Sequence, residues 1–118
     1  MDHEPLRRLL TFSGKFEELM TTARNYMRGA STPRHEAGVV LHLSHVDRAL
    51  KMYLDGGLSD KQLTEWADLL EANEFLQYEV GLEEVISDVL FRLSTPEIND
   101  PIGAETVRRL RTSLSGKL

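Results

Sequence analysis

Apolar residues recur three and four positions apart along most of the chain, the spacing that places side chains on one face of an α-helix. The first such region runs from about residue 5 to residue 28 and is interrupted near Ser13-Gly14. Gly29 is a natural end for it, because glycine accepts the left-handed backbone that is common where helices stop. Its apolar positions are Leu6, Leu9, Leu10, Phe16, Leu19, Met20, Ala23 and Met27.

A long central helix is predicted to begin at Thr32-Pro33, since threonine is a common N-cap and proline is tolerated in the first turn. Its apolar pattern continues to Gly56-Gly57. At about 22 residues and 1.5 Å per residue, this helix would extend about 33 Å. Gly38 lies inside it at a cost of roughly 1 kcal/mol relative to alanine. Either a close helix crossing or a later start of the helix would explain that glycine.

A capping-box pattern predicts the start of the next helix: Ser59 lies three residues before Gln62 and ahead of an apolar stripe. This helix is expected to end near Asn73. From Glu74 to Val80, Phe75, Gln77 and Glu79 alternate with Leu76, Tyr78 and Val80, so a short extended segment is possible there.

A clear amphipathic stripe from Leu82 to Leu93 predicts another helix, which Thr95-Pro96 ends. The last helix carries Val107, Leu110 and Leu114, with basic residues expected near its C-terminus. Together these patterns predict an all-α, single-domain bundle of about five helices joined by short connections and spanning residues 1–118.

Composition narrows the class of protein. The 118 residues are 41% hydrophobic and 28% charged, the balance of a globular domain. The absence of cysteine excludes disulfides, thiolate metal sites and cysteine nucleophiles. No apolar run reaches the length of a membrane span, and the first residues do not resemble a signal peptide. We therefore expect a soluble, cytoplasmic protein.

The net charge of −5 conceals a strong asymmetry. Residues 55–105 carry 13 acidic and only two basic side chains, whereas residues 106–118 carry four basic side chains and no acid. An acidic folded surface repels nucleic acid and anionic membranes, and it attracts a basic partner over about 8 Å at physiological salt.

The acidic residues in the predicted helices of this block are the candidate partner-binding residues. Two simpler interpretations stay open: the acids form a solvated face that keeps the protein soluble, or Arg108, Arg109 and Arg111 pair with them inside the molecule. The candidates are Glu65, Asp68, Glu71, Glu74, Glu83, Glu84 and Asp88.

Aromatic residues offer candidate anchors for a partner. Trp66 lies on an apolar stripe and is predicted to be in the core. Phe91 lies opposite the stripe of its helix, so either that helix is buried on two sides or Phe91 belongs to an interface; we favour burial. Tyr78 and Phe75, beside the acidic residues, are the other candidates.

Three histidines fall on one face of the predicted central helix, namely His35, His42 and His45. Histidines at this spacing can share a zinc ion, yet no further ligand accompanies them, and packed histidines are the simpler interpretation. No catalytic motif or phosphate-binding loop is present. We therefore predict no catalytic residue, no metal site and no cofactor.

Two segments suggest a family. Residues 53–59, followed by residues 63–67 with Leu70-Glu71, precede an amphipathic helix and the segment Pro96-Glu97-Ile98. Over about residues 50–105 this layout resembles small all-α bacterial immunity proteins of contact-dependent and polymorphic toxin systems, including the colicin-D type. The resemblance implies a protein without catalytic residues that blocks the basic catalytic domain of a cognate toxin, often a nuclease, with an acidic face.

The sequence thus favours a non-enzymatic protein that binds a basic partner, with toxin immunity as its most specific form. The alternative is a structural or regulatory homo-oligomer that pairs its basic C-terminal helix with the acidic face of a neighbouring copy. A small enzyme or metal protein that uses the three histidines ranks third. DNA binding ranks last, because only Arg108, Arg109 and Arg111 offer a basic patch.

Overall fold

The computed structural model describes residues 4–29, 39–71, 76–98 and 101–118, which form six helices and one two-stranded sheet. The all-α class is confirmed, with six helices rather than about five. In chain order the elements are α1 (Glu4–Leu10), α2 (Phe16–Gly29), β1 (Val39–Leu41), α3 (Leu43–Leu54), α4 (Asp60–Leu70), β2 (Leu76–Tyr78), α5 (Glu83–Ser94) and α6 (Ala104–Ser115).

The sixth helix arises because the predicted interruption near Ser13-Gly14 is a complete break between α1 and α2. Gly14 has a φ of 150°, and Phe12 has a φ of 53°, which is unusual for a residue with a side chain. The ring of Phe12 stacks on Trp66 with 5.7 Å between centroids. This contact in the core supports a backbone conformation that phenylalanine disfavours.

The predicted central helix is wrong over Val39–Leu41. Val39–Leu41 is a strand that pairs in parallel with Leu76–Tyr78, and α3 begins only at Leu43. The β-branched Val39 and Val40 suit a strand better than a helix, and Val39 and Leu41 are buried while Val40 faces outward. Gly38 and the predicted helix start at Thr32-Pro33 lie outside the described residues.

Helix α4 begins as its sequence predicts. The backbone N–H of Gln62 donates to the Ser59 hydroxyl (3.1 Å), and the backbone N–H of Ser59 donates to the Gln62 side chain (2.9 Å). The helix ends at Leu70, three residues before the expected end, because Glu71 has an extended backbone. The possible extended segment is confirmed as β2.

The buried apolar side chains form one cluster, to which every helix and both strands contribute. Trp66 is fully buried in it, as predicted. Its indole N–H has no hydrogen-bond partner among the described residues.

Helices α5 and α6 follow the predicted apolar patterns. Helix α5 buries Ile86, Val89, Leu90 and Leu93 and packs mainly against α4, whereas α6 packs mainly against α3. The arginines of α6 lie in its middle and not in its last turn, so the expected stabilisation of the C-terminal dipole is absent there.

Candidate functional site

The outer face of α5 and the neighbouring end of β2 enclose a shallow, open depression of about 600 Å³. We call it the acidic depression. It brings together three of the predicted partner-binding acids and two of the predicted aromatic anchors; Phe75, another predicted anchor, lies outside the described residues. Its lining residues are Tyr78, Glu83, Glu84, Ser87, Asp88 and Phe91.

Phe91 is the exposed aromatic of this surface, and 41% of its area faces solvent. The prediction that it is buried is therefore wrong. Helix α5 contacts the core through a single stripe that includes Val89 and Leu90, and Phe91 lies on the other side of the helix. A large apolar side chain left in solvent beside carboxylates is a feature of protein interfaces.

Tyr78 is held in place by the strand pair that the sequence did not predict. It lies opposite Leu41 in the sheet, and the next residue, Glu79, makes two further links. The backbone N–H of Glu79 donates to the carbonyl of Leu41 (3.0 Å), and the backbone N–H of Leu43 donates to Oε1 of Glu79 (2.9 Å). The end of β2 is thus tied to the start of α3, which fixes one wall of the acidic depression.

The three acids of the depression differ in what they bind. Oε1 of Glu83 accepts the backbone N–H of Gly81 (2.9 Å), and Asp88 pairs with Arg92 one turn further along α5 (2.9 Å). Glu84 is exposed and, within the described part of the chain, has no hydrogen bond or ion pair. Glu84 is therefore the carboxylate most available to a cation from outside.

The acids of α4 lie elsewhere. Glu65 is half-buried and Asp68 is exposed, and neither lines the acidic depression. Glu71 accepts the hydroxyl of Ser94, the last residue of α5 (2.7 Å). Since Glu83 begins α5, the helix separates Glu71 from Glu83 by about 16 Å, more than a Debye length at physiological salt. Glu71 thus lies apart from the start of α5, and Glu74 lies outside the described residues.

The arginines of α6 do not neutralise the predicted acids in the part of the chain that the structure describes. Arg109 pairs with Glu105 (2.7 Å), and Arg111 makes two hydrogen bonds to Asp47 of α3 (2.9 and 3.2 Å). These bonds raise the pKa of Arg111 above its ordinary value. Arg108 is exposed.

A second concave surface, which the sequence did not predict, lies between α5 and α6. We call it the basic groove; its volume is about 390 Å³. Its floor is apolar, and its rim carries three cations and one acid, Asp88, which it shares with the acidic depression. It is lined by Val85, Asp88, Val89, Arg92, Leu93, Ile102, Thr106, Arg109, Leu110, Ser113, Leu114 and Lys117.

The two described histidines of the predicted metal-spaced set have a structural role. His42 precedes α3, and its backbone N–H donates to Nδ1 of His45 (2.9 Å), so that His45 caps the helix. Burial lowers the pKa of His45, with help from the positive charges of His42 and Arg48, and Glu79 opposes this shift. His35 lies outside the described residues. Among those described, no three histidine or carboxylate side chains form a group that could hold a metal ion.

No helix within the described ranges is both long enough and apolar enough to cross a membrane. No protein-family model, no curated protein and no solved structure matches this chain.

Proposed function

We propose that this chain is a non-enzymatic protein-binding module that engages a basic protein partner through the acidic depression. Its most specific form is an immunity protein that neutralises a cognate bacterial toxin. The observation that carries the proposal is the exposure of Phe91 in the same depression as Tyr78 and three carboxylates.

Phe91 supplies the apolar part of the recognition. A phenylalanine side chain has about 200 Å² of surface, so a partner that covers the exposed 41% removes about 80 Å² from water. At about 25 cal/mol per Å², this burial contributes about 2 kcal/mol. A single well-covered aromatic with that contribution is typical of an interface hot spot.

The carboxylates select the charge of the partner. Glu84 has no partner of its own in the described structure, and the side chain of Asp88 stays 58% exposed beside Arg92. A lysine or arginine that approaches Phe91 meets these negative charges, whereas an acidic partner is repelled. Such charges act mainly by speeding association, so the association rate should fall as salt rises.

The immunity form is supported by the resemblance described above and by the surplus of acids over residues 55–105. Toxin nucleases are basic because they bind nucleic acid, and an acidic surface that is complementary to them blocks that binding. Of the predicted acids, we assign the contact to Glu83, Glu84 and Asp88, which surround the exposed aromatic.

The test compares the wild-type protein with two variants of the depression, Phe91→Ser and Glu84→Lys, and with Glu18→Lys as control. Glu18 is exposed on α2, outside the depression, and its replacement changes the net charge by the same amount. The immobilised proteins are exposed to purified basic domains of bacterial toxin nucleases, beginning with any that is encoded next to the gene of this chain. We expect Phe91→Ser to weaken binding about 30-fold, the equivalent of about 2 kcal/mol.

We expect Glu84→Lys to slow association and to reduce its dependence on salt, while Glu18→Lys changes neither. In cells, co-expression of the wild-type chain should protect against the toxic domain, and co-expression of Phe91→Ser should not. Equal binding by all four proteins, each shown to be folded by circular dichroism, would refute the assignment of this surface.

A further inference from the structure

The basic groove and the acidic depression lie on opposite flanks of one helix. Asp88 stands on the crest of α5 between them and lines both. Because successive side chains are rotated by about 100° around the helix axis, those on one side of Asp88 face the acidic depression and those on the other side face the basic groove. The acidic side carries Glu84, Ser87 and Phe91, and the basic side carries Val85, Val89 and Arg92.

The two surfaces are complementary in charge and in chemistry. The acidic depression contributes three carboxylates and an exposed aromatic ring. The basic groove has an apolar floor and three cations on its rim. Arg92 pairs with Asp88 and Arg109 pairs with Glu105, so Lys117 is the rim cation without an ion pair among the described residues. In a chain with a net charge of −5, the groove is thus a local cationic surface, and the chain itself carries an anionic surface that suits it.

We propose that a second copy of this chain occupies the basic groove and that its own groove receives the acidic depression of the first copy. A two-fold axis parallel to α5 places the two copies of this helix side by side and parallel. In that arrangement the acidic flank of each copy faces the basic flank of the other, so the same contact forms twice. An antiparallel arrangement brings like flanks together and is opposed by charge.

In this dimer, Phe91 of each copy lies against the apolar floor of the other copy's groove, and Glu84 faces the cations of the rim. The dimer covers the same depression that we assign to a basic partner. Self-association and partner binding therefore compete, and the dimer keeps Phe91 out of solvent until a partner displaces it. The proposal does not depend on the identity, or on the existence, of such a partner.

The test uses charge reversal on each flank. Glu84→Lys alters the acidic depression, and Lys117→Glu alters the basic groove; neither side chain has an ion pair or hydrogen bond within the described residues, so neither change removes an internal contact. Matched controls are Glu18→Lys and Arg24→Glu, which make the same charge changes on the exposed face of α2. Sedimentation velocity measures self-association up to about 0.5 mM protein, where weak dimers are populated.

We expect the wild-type protein to form a dimer that weakens when NaCl is raised from about 50 mM to about 500 mM. Each reversal on α5 or in the groove should weaken the dimer roughly tenfold at low salt, because a surface ion pair worth below about 1 kcal/mol is lost twice. The two controls should sediment as the wild-type protein does.

Mixing the two variants gives the decisive result. In a mixed dimer the new lysine faces the new glutamate on one side, and the unchanged pair forms on the other, so mixing Glu84→Lys with Lys117→Glu should restore the dimer. A monomeric wild-type protein at low salt, or a mixture that stays as weakly associated as its components, would overturn the proposal.

The same variants separate this inference from the proposed function. Lys117→Glu leaves the acidic depression intact, so it should weaken self-association roughly tenfold while binding of the basic partner is retained or strengthened. Glu84→Lys should weaken both. A dimer that neither variant affects uses another interface and contradicts the proposal.

Discussion

Replacing His45 separates two effects on the stability of the first turn of α3: the hydrogen bond of the cap and its dependence on pH. In the structure Nδ1 of His45 accepts the backbone N–H of His42, the bond that the third helical residue makes in a capping box. Glutamine is the usual residue at that position, so His45→Gln keeps an acceptor but cannot titrate. His45→Ala removes both the acceptor and the titration. The two variants therefore distinguish the cap from its dependence on pH.

The size of each effect follows from the structure. Loss of a cap costs about 1 kcal/mol, so we expect His45→Ala to lower the free energy of unfolding by that amount at pH 8, and His45→Gln to change it little. Burial lowers the pKa of His45 in the folded protein, and a protonated Nδ1 can no longer accept a hydrogen bond. The unfolded chain therefore takes up this proton first, near pH 6.5, and stability falls as the pH drops below that value.

One proton changes the free energy of unfolding by at most about 1.4 kcal/mol per pH unit. The assay is urea unfolding, followed by circular dichroism at intervals between about pH 5.5 and pH 8, around the ordinary pKa of histidine. The wild-type protein should lose more stability on acidification than His45→Gln does. If the curves of the two proteins run parallel over this range, the cap does not titrate and the reasoning is wrong.

Two further predictions concern the core and its edge. Trp66→Phe should change the free energy of unfolding by less than about 1 kcal/mol, because the destabilisation by the new cavity is offset by the removal of a buried N–H that has no partner among the described residues. Trp66→Ala, which leaves a larger cavity, should lower the free energy of unfolding by about 3–5 kcal/mol. Urea unfolding followed by circular dichroism measures both. Arg111→Met should cost about 1–2 kcal/mol, because Asp47, with a side chain only 19% exposed, loses its cation. The double variant Asp47→Ala with Arg111→Met should recover part of that loss, and no recovery would show that the pair contributes only through its packing.

Local signals explain which elements the sequence predicted well. Ser59 and Gln62 cap α4 across three residues, so the pattern contains the whole interaction. The pairing of β1 with β2 joins segments that are far apart in the chain. Without knowledge of that pairing, the apolar pattern around Val39 fits a helix as well as a strand. The break between α1 and α2 was visible at Gly14, but the sequence did not reveal that the backbone would turn at Phe12.

The candidate site could be predicted only in part. The acidic stretch identified Glu83, Glu84 and Asp88, yet it did not separate them from Glu71, whose distance follows from the packing of α4 against α5. The position of Phe91 opposite the apolar stripe fits a helix buried on both sides as well as one buried on a single side. The tertiary arrangement decides between these, because it leaves Phe91 41% exposed at the edge of an open depression.

The bond from the backbone of Leu43 to Glu79 has a consequence for biosynthesis. The two residues are 36 positions apart, so a ribosome has already produced α3 and α4 before it adds the carboxylate that α3 needs at its first turn. Until then the nascent helix has only its histidine to hold that end. We expect the first turn of α3 to fray on the ribosome and to become stable once the chain beyond residue 79 has left the exit tunnel.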